Sequence, residues 1–168
     1  MTEPRWLDDA ERRAWVNFLD ASRLLEERIG QQLRRDHGMT HREYEVLVRL
    51  EDAPGRRMRL ADLAAATVAS RPRLTYVIDR LSKRGWVRRE SVQGDARGYY
   101  AVLDDAGLAA LRSAAPGHVD TVRGCLVDPL SREQVDAVAD AMEALAARLR
   151  ADRPDQGCGG PGAGGADR

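Results

Sequence analysis

The chain has 168 residues, with 27 Lys and Arg against 27 Asp and Glu, so its formal net charge is zero. That length suits one core, and the balance removes bulk attraction to a polyanion, so any nucleic-acid partner has to be met by a local basic surface. There is no N-terminal apolar h-region and no apolar run long enough to span a bilayer, which makes the cytoplasm the default and a membrane partner unexpected.

In chain order, residues 5–37 read as a long helix. Trp15, Phe18, Leu25, Ile29 and Leu33 fall on a mostly a/d-like spacing, with Ser22 in an a-type slot. His37 and the following Gly38 read as the end of that helix. Further on, Leu60–Ala66 reads as a short alanine-rich helix, and Thr67, Val68 and Ala69 as a brief turn.

Residues 70–85 carry the strongest signal. Ser70 is a good N-cap residue, and Pro72 falls in the first turn, where its missing N–H costs little. Leu74, Val77, Ile78 and Leu81 form one apolar stripe, and Gly85 stops the run after Lys83 and Arg84. At about 100° per residue, Arg73, Tyr76 and Arg80 gather away from the stripe. By itself such a face is either a solvated helix surface or a contact surface. Guanidinium forks suit guanine edges and phosphate oxygens.

The neighbours favour contact. Two helices joined this tightly make a helix-turn-helix. Residues 86–92 and 98–103 read as strands, and residues 93–97 as the turn between them, with Gly94 and Asp95 as turn residues. A hairpin tip bearing Arg97 suits a minor groove. Asp95 reads either as a brace for Arg97 or as a turn residue. Between Ser70 and Arg97 the bases Arg71, Arg73, Arg80, Lys83, Arg84, Arg88, Arg89 and Arg97 stand against Asp79, Glu90 and Asp95, a local basic surface.

These residues resemble the winged helix-turn-helix regulators of the MarR family. The resemblance rests on residues 70–85, on the wing Asp95-Ala96-Arg97, and on the strand-to-helix exit Leu103-Asp104-Asp105-Ala106-Gly107. Asp104 stands where the family has threonine, and Asp is an equally good N-cap. The resemblance implies a mainly α fold with a small β-hairpin wing, flanked by N- and C-terminal dimerisation helices. It implies a homodimer that reads a pseudo-palindromic duplex operator, most often as a repressor. It also implies a small, often aromatic and anionic effector between the dimerisation helices and the DNA-binding lobe, for which Trp15, His37, Tyr44 and Arg49 are conceivable residues. On the DNA side the expected residues are Ser70, Arg71, Arg73, Thr75, Tyr76, Arg80, Asp95 and Arg97. Ser70, at the helix N-terminus, would meet a phosphate.

Beyond the wing, Leu108, Leu111, Val119, Val122 and Leu126 continue a helical stripe, with a kink or break expected at Pro116-Gly117. Val135, Val138, Met142, Leu145 and Leu149 form another. Residues 5–37 and 105–152 are thus the expected dimerisation helices, residues 38–104 the DNA-binding lobe, and residues 153–168 a Pro/Gly-rich disordered tail. These stripes pack either within the chain or against a second copy. Cys125, beside Leu126, reads as a small buried hydrophobe, and Cys158 lies in the tail. His37, His41 and His118 form no compact cluster with cysteine, so no metal or cofactor is expected. Metal or oxidant sensing on the same fold, or a dimeric interaction module that binds no DNA, are the alternatives. No phosphate loop, nucleophile elbow or His-Glu-x-x-His occurs, so an enzyme is not expected.

Overall fold

The computed structural model describes residues 3–92 and 95–152, and for 95–97 the backbone alone. Its helices are α1 (Asp9–His37), α2 (His41–Asp52), α3 (Leu60–Ala66), α4 (Arg71–Lys83), α5 (Asp105–Val122) and α6 (Arg132–Ala151); its strands are β1 (Arg57–Arg59), β2 (Val87–Val92) and β3 (Asp95–Leu103). The chain divides into two compact units, residues 1–126 and 127–168.

In the first unit the core gathers Leu33, Leu47, Leu50, Leu63, Ile78 and Leu81, all fully buried. They come from α1, α2, α3 and α4. Removing such a side chain, as in Leu47→Ala, costs about 2–5 kcal/mol. The α1 stripe splits. Ile29 and Leu33 are buried, whereas Trp15, Phe18 and also Val16 and Leu24 are exposed. The second half of α1 packs on α5, while the first half offers its apolar side chains to solvent.

Helix α2 and strand β1 go beyond the sequence expectation. The α2 start is fixed by a capping box in which Thr40 and Glu43 satisfy each other's backbone N–H. Strand β1 pairs antiparallel with β3, so the wing is a three-stranded sheet in the order β1-β3-β2, not a bare hairpin. Opposite β1, β2 runs in register from Val87 against Leu103 to Ser91 against Tyr99, with an irregularity between Ser91 and Val92.

One detail of the strand-to-helix exit is corrected. Asp104 occupies the N-cap of α5, yet its side chain caps no backbone N–H. Its carboxylate is taken by the Arg88 guanidinium instead, a charged partner that outcompetes a neutral amide. Gly107 is required by close packing. A Cβ there would collide with the backbone carbonyl of Trp86, the same carbonyl that accepts the Asp104 N–H at 3.0 Å.

Pro116 and Gly117 produce no break, because α5 runs through them. Pro116 is exposed, so the carbonyl it orphans one turn earlier faces water and costs little. Gly117 lies where α5 meets α1: a Cβ there would stand 2.9 Å from Nε2 of the buried Gln32. The irregularity comes later, in the π-helical turn Arg123–Val127. Cys125, in that turn, is exposed, which corrects its assignment as a buried hydrophobe.

The second unit contains α6, which opens on a capping box between Ser131 and Gln134. None of its residues is buried. Val138, Met142, Leu145 and Leu149 form the expected stripe and stand exposed. Residues 153–168, with Cys158, lie outside the described residues.

Candidate nucleic-acid interface

Helix α4 buries Leu74, Ile78 and Leu81 and turns its other face outward. On that face Arg73 and Thr75 are exposed, and Tyr76 is 63% exposed. Neither the Arg73 guanidinium nor the Tyr76 hydroxyl has a hydrogen-bond or ion-pair partner among the described residues. Ser70 is the N-cap in extended backbone, but its side chain caps nothing. Pro72, the second helical residue, has no N–H to offer, and the N–H of Arg73, the third, receives no side-chain cap from Ser70. Ser70 and Arg71 are both exposed at this end of the helix.

The other arginines are fasteners. Arg80 Nε stands 3.0 Å from Oε1 of Glu43, a carboxylate only 1% exposed. The contact is an ion pair without hydrogen-bond alignment, since that oxygen has no aligned donor. Any part for Arg80 in an interface is limited to the guanidinium edge that Glu43 leaves. The other Glu43 oxygen accepts the Thr40 backbone N–H at 2.7 Å and the Thr40 hydroxyl at 3.0 Å. One buried carboxylate thus starts α2 and holds α4. Sequence reasoning passed over Glu43, although the Thr-x-x-Glu spacing was a legible sign.

Arg84 joins the ends of α1 and α4. Its Nη1 donates to the Gly38 carbonyl at 3.0 Å, and its guanidinium stacks 3.6 Å from the Trp86 ring centroid. Arg89 meets Asp79 at 2.7 Å and donates to the Thr75 carbonyl at 3.4 Å, fixing β2 against α4. Arg88 pairs with Asp104 and, at 2.9 Å, with Glu90; the bond to Asp104 first, then that to Glu90, raises the Arg88 pKa. Within the basic run, Arg80, Arg84, Arg88 and Arg89 thus form a frame, while Arg73 stands in an outward row on α4 with Thr75 and Tyr76.

At the wing tip, Gln93 and Gly94 lie outside the described residues, as do the side chains of Asp95 and Arg97. The β3 backbone runs from Asp95. On one face of the sheet Arg57 and Arg59 lie 5.0 and 5.8 Å from the Tyr100 ring centroid.

The four residues expected around an effector are not brought together. Trp15 and His37 are 22 positions apart on α1, about 33 Å along a helix. Tyr44 is buried, its ring 4.4 Å from that of His118, and burial raises its phenol pKa, helped by Glu51. Arg49 is exposed near the end of α2. A cavity of about 540 Å³ lies elsewhere, beside α4, lined by Thr40, Glu43, Val68, Arg73, Tyr76 and Arg80 among others, and by none of the four. His118 has His41 at 6.2 Å; burial, then His41, lowers its pKa. Among the described residues no group of three or more His, Cys, Asp or Glu is placed to hold a metal ion, and no helix is long and apolar enough to cross a membrane.

Comparison with known proteins agrees with this geometry. The sequence model of the MarR family matches residues 37–98, from the end of α1 into the wing. The crystal structure of Sco3205, a MarR family transcriptional regulator from Streptomyces coelicolor in complex with DNA, is 41% identical and superposes with a TM-score of 0.84 over 94% of this chain and 97% of that one. AbsC, a MarR family transcriptional regulator from the same organism, is 40% identical with a TM-score of 0.82 over 89% of this chain and all of its own. The HTH-type transcriptional regulator PecS of Dickeya dadantii is 28% identical over 128 residues, 75% of this chain and 76% of its own. An outward row on a recognition helix, a wing at its side and relatives this similar over nearly the full length lead to one conclusion: the chain belongs to the MarR family of DNA-binding transcriptional regulators and is not an enzyme.

Proposed function

We propose that this regulator binds a pseudo-palindromic duplex operator as a cytoplasmic homodimer and represses the adjoining gene. The observation that carries the reading is the division of the arginines. Four hold the frame, which leaves Arg73, Thr75 and Tyr76 as an exposed row on α4. Each α4 lies in a major groove, with Ser70 and Arg71 at its phosphate edge and Arg73 at a base. The wing reaches the neighbouring minor groove through Arg97, braced by Asp95. Residues 38–104 form this lobe. Residues 5–37 and 105–152 supply the dimer, because α1 and α6 each carry an apolar stripe that the chain leaves uncovered. A small aromatic anion releases the DNA. The cavity beside α4, where Arg73 and Tyr76 stand among Glu26, Glu43 and Glu45, is its place in this reading, since Trp15, His37, Tyr44 and Arg49 are scattered.

Selection of bound sequences from a random duplex pool tests the core of the proposal. The expected product is a two-fold repeat with half-sites about one helical turn apart, bound by a particle of twice the chain mass. A monomer that binds tightly, or a pool with no enriched sequence, overturns it. Benzoate titrated against the bound operator tests the effector. Release that Arg73→Ala abolishes places it in the cavity, and release unaffected by that change removes it from there.

A further inference from the structure

Val68 lies in the turn between α3 and α4 with φ of +52°. That left-handed conformation presses Cβ against the following carbonyl and is rarely adopted by a β-branched residue. Arg56 also has a positive φ, but it is unbranched. The turn around Val68 is held tightly. The Thr67 hydroxyl donates to the Leu63 carbonyl at 2.7 Å, the Ala69 N–H donates to the Ala64 carbonyl at 3.1 Å, and Arg42 Nη1 donates to the Thr67 carbonyl at 3.4 Å. These bonds impose the backbone on Val68 and explain how the strain persists. They do not explain the side chain. Val68 is 70% exposed, so its methyl groups gain little packing within the chain. Asn would fit the same backbone more easily. A strained, exposed, apolar residue is what a contact made outside the chain leaves behind.

Its surroundings place it on the side of the lobe that carries the outward row of α4. Val68 stands two residues before the N-cap of α4 and lines the same concavity as Arg73 and Tyr76. Resting on the DNA-binding reading above, we propose that Val68 determines specificity by packing its exposed methyl groups on the C5-methyl of a thymine in the operator half-site. The major groove presents that methyl at A·T pairs alone, so a valine there selects thymine without a hydrogen bond.

The test is a cycle between protein and DNA methyl groups. The full chain first selects an operator from a random pool. Each thymine of a half-site is then replaced by uracil, which lacks only the methyl. At one position the change weakens wild-type binding about fourfold, the worth of one buried methyl. Val68→Asn and Val68→Gly weaken binding to the thymine duplex by a similar factor and no longer distinguish thymine from uracil there. Neither changes affinity for random duplex. Val68→Asn raises Tm by about 2–4 °C as the strain is relieved. Equal losses on thymine and uracil duplexes would mean a sugar or backbone contact and overturn the proposal. So would wild-type affinity in both variants, or a lower Tm for Val68→Asn. If the wild type enriches no sequence, the regulator reading fails first, before any Val68 variant is compared.

Discussion

Helices α2 and α4 begin in opposite ways. At α2, Thr40 and Glu43 close a capping box, and the Glu43 carboxylate is buried under Arg80. At α4, Ser70 caps nothing, Pro72 removes one donor, and the residues of the first turn stand in solvent. The first helix start is complete within the chain. The second leaves its end open to an anion of the kind proposed above, because a helix N-terminus carries partial positive charge. The difference separates a helix start completed within the lobe from one left open to a partner, and the Glu43–Arg80 ion pair joins the two helices beside their shared core.

Breaking the internal start gives the largest effect. Glu43→Ala strips the box and leaves Arg80 unpaired, so urea unfolding should show a loss of about 3 kcal/mol, the lower end for a broken buried pair because Arg80 is partly exposed. Glu43→Gln, which keeps an acceptor for Thr40, should lose less. Equal stability of Glu43→Ala and the wild type would erase the contrast. On the outer side, Arg73→Ala should cost about 1–3 kcal/mol of operator affinity, far less on random duplex, and leave the unfolding midpoint in place. Arg97→Ala should weaken both duplexes and flatten the log–log salt dependence by about one unit, measured by titration at several salt concentrations.

Smaller effects sharpen the same contrast. Thr40→Ala should cost about 1 kcal/mol of stability, the usual loss of a working cap. Ser70→Ala should cost less than about 0.5 kcal/mol, because no cap bond is lost. If the two matched, the α4 start would be capped after all. Smallest is a pH effect at His118, whose imidazole is held below its ordinary range by burial and by His41. The unfolded chain therefore takes up the proton first as pH falls. Stability contributed by the neutral ring is complete above the ordinary imidazole range and declines on acidification through it. Unfolding midpoints of wild type and His118→Asn from about pH 7.5 to about pH 5.5 should converge toward the acid end.

Local pattern carried much of this protein. The apolar spacing of Leu74, Ile78 and Leu81, the short Leu60–Ala66 helix and the β-branched and aromatic residues of the wing strands are properties of a few consecutive residues, and the chain alone sufficed to read them. So were the outward placement of Arg73 and Tyr76, which follows from helical period once the buried face is known. What the chain could not show is which arginines are already engaged. Arg80 with Glu43, Arg84 with Gly38 and Trp86, and Arg88 with Asp104 join residues 16 to 46 positions apart or across a turn. Ion pairing depends on distance in space, which sequence spacing does not set beyond one helix or one hairpin. The same limit explains Gly107, needed only because the Trp86 carbonyl packs against it, and Pro116, tolerated only because its side of α5 faces water. Composition and period decided that there would be a basic helix with a wing, and tertiary packing decided which of its charges hold the fold and which remain on its surface.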